Sequence, residues 1–187
     1  MHDDVMSAFL RRTIEVELPL ALAASDVLHL APDPLSGDPP RRLHGLFTDI
    51  ERFTSGPGDT FRTIRRPLPF TLDYPDDYCA CSDGTLQLRV ARILAPIAHP
   101  NISPGGIVCL GSSFCPSTRL RPLLEHVHRI CSGRIYASES PWDPQTADFY
   151  RAHPERVRAL RAAPLWRDPI AQRVLVENLE NAPGEVR

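Results

Sequence analysis

Lysine is absent from this chain: all 21 basic residues are arginine. A GC-rich coding composition accounts for that, in keeping with 20 prolines and abundant alanine and arginine. Bulk charge is missing too. With a formal net charge of -2 there is no electrostatic drive toward nucleic acid or a membrane surface. The arginine pairs Arg41-Arg42 and Arg65-Arg66 read as solvated, because no aromatic stacking pattern accompanies them. No long apolar run occurs; the longest, Leu18 to Ala24, is far too short to span a bilayer. The start M-H-D-D leads into no signal-type apolar core, so a cytoplasmic location is expected. Five cysteines, an odd number without a secretion signal, argue for reduced thiols rather than a disulfide framework.

What is present suits one globular domain. The chain has 187 residues and 42% hydrophobic content, enough for a sizeable core. Val5, Phe9, Leu10, Ile14 and Leu18 fall loosely at helical spacing and predict a first helix that ends before Pro19. Asp33 to Pro40 reads as a Pro-rich loop. Leu43 to Phe53 predicts a strand, and Thr60 to Arg66 a second one after the turn Thr54 to Asp59. Pro67 to Tyr74 predicts a third, stopped at Pro75, and Thr85 to Leu94 alternates as a fourth.

Beyond Cys109 the period changes. Leu120, Leu123, Leu124, Val127, Ile130 and Cys131 recur at i, i+3, i+4, i+7, which predicts a helix capped by Ser117 or Thr118. Asp143-Pro144 and Asp168-Pro169 each pair a good N-cap with proline at the first helical position and predict two further helices. Strands first and helices later indicate the α+β class, an antiparallel four-stranded meander with helices on one face.

Ala98 to Leu110, A-H-P-N-I-S-P-G-G-I-V-C-L, places a histidine, an asparagine and a cysteine on one Gly- and Pro-rich segment. A thiol in a strand is ordinarily inert core. Here Gly105 and Gly106 allow close backbone approach, and Asn101 offers an amide donor eight residues before Cys109. Such an amide suits the oxyanion that forms when an amine attacks a thioester.

H-P-N-I followed by G-x-I/V-C-L resembles the active-site signature of ubiquitin-conjugating enzymes. Leu72 to Pro75 (L-D-Y-P) is similar to the Tyr-Pro element ahead of that signature, and Phe114-Cys115-Pro116 to the Trp-Ser-Pro after it. Pro141 to Val157 matches the segment P-L-N-x-x-A-x-x-x-Y-x-x-x-P-x-x-F at unchanged spacing. The resemblance implies a UBC-like catalytic domain over residues 1–163 and a C-terminal helical extension over 164–187. It implies that Cys109 accepts an activated ubiquitin-like protein as a thioester from a ubiquitin-activating-like enzyme and passes it to a target amine. Asn101 would aid the oxyanion or position a nearby loop. His99, Pro100, Tyr74, Pro75 and Tyr150 would be structural. No cofactor, metal, nucleic acid or membrane enters that scheme. Stand-alone bacterial members of the family accompany antiphage defence systems, which supplies the expected context. An enzyme handing acyl groups to amines would also modify its own lysines, a second account of their absence. The alternative is a catalytically silent scaffold of the same fold that binds the modifier or the activating enzyme.

Departures from the family pattern carry their own expectations. Ser140 stands where an acidic residue often precedes the Pro-Leu pair, and Trp142 replaces the leucine. An insertion containing Cys79 and Cys81 separates Pro75 from His99, and the proline pair gripped by ligases is missing. Direct transfer or a dedicated partner is therefore expected. Zinc binding by Cys79, Cys81, Cys109, Cys115, His126 and His128 is disfavoured, because C-x-C and H-x-H are not ligand spacings of the C-x2-C type. A cysteine hydrolase would need a histidine placed beside Cys109.

Overall fold

A computed structural model describes residues 2–57, 60–80, 86–111, 114–115, 117–137 and 141–167. The protein is of the α+β class, with an N-terminal helix, an antiparallel sheet of four strands and helices that follow it. Helix α1 (His2–Arg12) runs through one wide turn (Thr13–Glu17) into α2 (Leu18–Ala23). The helical path thus continues past Pro19 instead of ending before it. Proline lacks an N–H and crowds the preceding turn. The chain answers by widening: Leu18 N–H donates to Thr13 O, five residues back, and Pro19 sits in the first turn of α2.

Six strands follow: β1 (Leu28–Pro32), β2 (Arg42–Phe47), β3 (Glu51–Ser55), β4 (Phe61–Arg65), β5 (Leu68–Asp73) and β6 (Ala91–Ile93). The four-stranded sheet has the order β1-β2-β5-β6, every pair antiparallel, and β3-β4 forms a separate hairpin between β2 and β5. The single strand predicted over Leu43 to Phe53 is therefore two strands in different sheets, parted at residues 48–50. Arg52 explains the departure. Its side chain is 3% exposed, donating Nε–H to Pro96 O (3.1 Å) and Nη1–H to Arg66 O (2.7 Å), which ties β3 away from the main sheet.

The strand predicted over Thr85 to Leu94 is also shorter. Leu86–Leu88 is a 3-10 turn and only Ala91–Ile93 pairs with β5. Leu86 and Val90 are both buried, four residues apart, so their spacing serves a turn as well as a strand. β1 was not foreseen; Leu28 and Leu30 alternate with exposed His29 and Ala31 over only five residues.

Helix α3 (Leu120–Cys131) buries Leu120, Leu123, Leu124, Val127, Ile130 and Cys131 against the sheet. Neither Ser117 nor Thr118 caps it. The Leu120 N–H donates to Glu17 Oε2 (2.9 Å), a carboxylate supplied from the other end of the chain, where it suits the positive helix terminus. Helix α4 (Pro144–Ala152) starts as expected, with Asp143 Oδ1 accepting the Thr146 N–H at 3.1 Å. Proline 154 opens a short α5 (Pro154–Arg158). The helix predicted from Asp168 lies outside the described residues. No described helix is long and apolar enough to cross a membrane.

Candidate functional site

Residues 98–110 leave β6 and fold back on themselves. Ile102 and Val108 form an antiparallel bridge, and both side chains are buried in the core. Around that bridge Cys109 N–H donates to Asn101 O (2.8 Å) and Ser103 N–H to Ile107 O (2.9 Å). Asn101 and Cys109 are consequently opposite one another across a two-stranded ladder, with Cα atoms at a typical spacing of ~5.5 Å. The core anchor at Ile102 and Val108 thereby brings the backbone of the asparagine beside that of the cysteine. Cys109 is part-exposed, whereas Asn101 is 9% exposed.

The turn joining the two arms is fixed from behind. Gly106 has φ +81, and a Cβ there would stand 2.0 Å from Ile93 O. Gly106 O in turn accepts the Ile93 N–H at 2.8 Å. The close approach that the glycines permit is thus made to strand β6.

His99 is buried completely, and its Nδ1 accepts the Asn101 N–H at 3.0 Å. Its carbonyl accepts the Ile102 N–H at 3.0 Å, closing the H-P-N-I turn. Burial pushes the imidazole down to about 3, opposed in part by the Ile135 backbone. A ring that is neutral, buried and already accepting at Nδ1 shapes the turn and cannot serve as a base for a substrate. Tyr150 backs it from α4, with its ring 5.4 Å from the His99 ring and its hydroxyl donating to Ala98 O at 3.3 Å. Burial raises the Tyr150 phenol, which stays protonated as that donor.

Asn101 and Pro100 also hold the chain on either side of residues 138–140. Asn101 Oδ1 accepts the Ala137 N–H at 2.8 Å, and Pro100 O accepts the Trp142 N–H at 2.9 Å. Both flanks of residues 138–140 are therefore pinned to the H-P-N turn. Ser140 itself lies outside the described residues. With Oδ1 engaged, the Asn101 amide has its Nδ2 donor left for a ligand; that donor has no partner among the described residues.

Tyr74 and Pro75 stand apart from this site. Tyr74 is buried between Phe9 and Tyr78, with ring separations of 5.7 and 4.9 Å, and Pro75 O accepts the Tyr78 N–H. They join the first helix to the sheet. Cys79 lies beside Met6, its Sγ 3.7 Å from the thioether sulfur, while Cys81 is outside the described residues. His126 Nε2 is 2.7 Å from Leu110 O, whereas His128 packs edge-on to Phe47 in the core. The two histidines diverge, as positions two apart on a helix must.

Sequence reading missed the service of His126 to the Leu110 carbonyl, one residue from Cys109. Its part-buried place on the polar side of α3 was the available signal. The bond from Ala137 N–H to Asn101 Oδ1 gives a partner to the loop-positioning role expected of that asparagine.

Two buried histidines set the acid response. Burial pushes His99 to about 3 and His128 to about 4, below the ordinary 6.5. The folded state favours their neutral forms, and the unfolded chain binds more protons between those values. Their contribution to stability is complete above pH 6.5 and falls as the pH drops toward 4 and then 3. Each histidine costs up to ~1.4 kcal/mol per pH unit in that window. Urea unfolding should show a lower midpoint at about pH 5 than at about pH 7.5; equal midpoints would contradict their burial as neutral rings.

No protein-family model matches the chain, and no curated protein sequence matches it. Among solved structures it is similar to S. cerevisiae Ubc12, with 16% identity, a TM-score of 0.48 and 76% of each chain covered. It is also similar to human ubiquitin-conjugating enzyme E2 G1, with 20% identity and a TM-score of 0.35 over 65% of this chain and 91% of that one.

Proposed function

We propose that this protein carries a ubiquitin-like modifier as a thioester on Cys109 and transfers it to an amine. The observation that carries this reading is the backbone pairing of Asn101 with Cys109 beside the buried Ile102–Val108 bridge. In the first half-reaction the Cys109 thiolate attacks the C-terminal carbonyl of a modifier already activated as a thioester. A new S–C bond forms and the donor thiolate leaves. The exchange is between like bonds, so no unusual thiol acidity is required of Cys109.

In the second half-reaction an amine nitrogen attacks the same carbonyl, an amide bond forms, and the Cys109 thiolate departs. The oxyanion between these steps faces the Asn101 Nδ2–H donor, while the Ala137 N–H fixes the other end of that amide. Ser140, which falls in sequence between the held residues Ala137 and Trp142, is assigned the role of orienting the incoming amine through its hydroxyl. The domain is residues 1–163, with 164–187 an extension of it. An activating enzyme and a ubiquitin-like protein are the partners, in a bacterial conjugation system of the antiphage type acting in the cytoplasm.

Incubation with the activating enzyme, the modifier and ATP should produce an adduct that thiol reductants cleave. Cys109→Ala should abolish it. Equal adduct formation by that variant would overturn the catalytic role, and a modifier bound without any adduct would make the protein a silent scaffold.

A further inference from the structure

We propose that the cleft between helix α3 and residues 162–167 is a binding site for a phosphate-bearing small molecule. The site is independent of the proposed conjugating activity, and none of its lining residues belongs to the 98–110 segment. One wall is the stripe of half-buried Arg121 and exposed Glu125 and Arg129 on α3, spaced by one helical turn each; the other is the chain from Ala162 to Arg167. The cavity between them measures about 510 Å³, within the ordinary range for small-ligand sites.

Its chemistry is one-sided. Arg121, Arg129, Arg134 and Arg167 line the cleft against a single carboxylate, Glu125. Arg167 is paired with Asp26, whereas Arg121, Arg129 and Arg134 form no ion pair among the described residues. Arg121 lies over the Trp166 ring at 5.0 Å, and Arg134 Nη2 is steadied by Leu160 O at 3.2 Å. The Arg121 and Arg134 guanidinium groups are thus held by protein groups that do not neutralise them.

Two further groups, one from each wall, are buried without partners: Trp166 Nε1 and His128 Nε2, the latter on a side chain 6% exposed. Buried polar atoms left without a bond are uncommon and need an explanation. An indole nitrogen is a donor only, so what completes it must accept. Guanidinium forks and an indole N–H together call for a ligand rich in acceptor oxygens and carrying negative charge. Phosphate supplies three such oxygens and matches the fork geometry of arginine. A cavity of this size suits a small phosphate compound better than an extended acidic peptide.

The full-length Trp142→Phe variant leaves Trp166 as the single tryptophan and gives the readout. Titration with pyrophosphate at constant ionic strength should change Trp166 emission saturably, with an apparent Kd below about 1 mM. Arg129→Ala, at an exposed position, and Arg121→Ala should each weaken binding about tenfold by calorimetry. No saturable response to pyrophosphate or inorganic phosphate would overturn the proposal. So would binding that both arginine variants leave unchanged, or a response to poly-glutamate in the absence of any to phosphate.

Discussion

Replacing Asn101 by alanine should leave Cys109 chargeable and slow discharge of the modifier to amines by about 10²–10³-fold, the usual effect of losing one oxyanion donor. The side chain does two things, and each has its own variant. Oδ1 accepts the Ala137 N–H, and Nδ2 is the donor that the proposed mechanism assigns to the oxyanion. Asn101→Asp keeps an acceptor for Ala137, deletes the donor and places a negative charge where the oxyanion would form. If the donor dominates, aspartate should discharge as slowly as alanine or more slowly. If holding residue 137 dominates, aspartate should restore most of the rate. Single-turnover discharge of pre-charged protein separates these outcomes from loading, and a melting curve shows whether either variant has lost stability. A rate within threefold of wild type for Asn101→Ala would remove the oxyanion role altogether.

The second large effect is on folding. Gly106→Ala should destabilise the protein by roughly 3 kcal/mol or more, an amount reserved for a few mechanisms of which strained backbone is one. At φ +81 an added Cβ meets Ile93 O at 2.0 Å, a backbone atom inside the β5-β6 pairing that cannot step aside. The turn must lift instead, giving up the bond from Ile93 N–H to Gly106 O. Gly111 is the control. Its φ is +87, yet nothing lies within 4 Å of an added Cβ, so alanine there bears only the conformational cost, about 1–2 kcal/mol. For a protein of this length the Gly106 variant should melt roughly 6–12 °C lower. Since that turn sets Asn101 opposite Cys109, slowed discharge should accompany the lower melting temperature. A Gly106→Ala protein no less stable than Gly111→Ala would contradict the packing described around Ile93.

The candidate site was legible because its parts are close in sequence. Cys109 and Asn101 are eight residues apart, and the turn chemistry of Pro104, Gly105 and Gly106 allows the chain to double back between them. Alpha-helical elements were legible wherever apolar spacing was long and caps were local, as in α3 and at Asp143. Short elements defeated the same reasoning. Leu86, Leu88, Val90 and Ile93 fit an alternating strand, but the chain uses Leu86 and Val90 as two buried anchors of a turn.

Contacts between distant residues were not legible at all. Glu17 caps α3 from a hundred residues away, and Arg52 is buried against the carbonyls of Pro96 and Arg66. Neither has a local signature, because each bond is decided by how the sheet and the hairpin are placed in space. The same is true of Pro19. The expected end of the helix before it does not occur, and a widened turn accommodates the proline instead. The arginine pairs show the point for charge: Arg41 and Arg42 pair with Asp76 and Asp73, and Arg65 with Asp49, while their side chains stay largely open to solvent. Such half-exposed pairs contribute little stability, in the range of about 0–1 kcal/mol each.

The measurement that tests the central claim most directly is the position of the adduct. Cys115 is an exposed cysteine six residues from Cys109 and competes with it as an acceptor on grounds of accessibility alone. Mass spectrometry of the protein charged with an activated modifier, digested at mildly acidic pH to preserve thioesters, locates the modified cysteine. The geometry of the Asn101–Cys109 pair predicts a thiol-cleavable mass on Cys109, retained in Cys115→Ser and lost in Cys109→Ala. A modifier found on Cys115, or on no cysteine with a competent activating enzyme, would contradict the account.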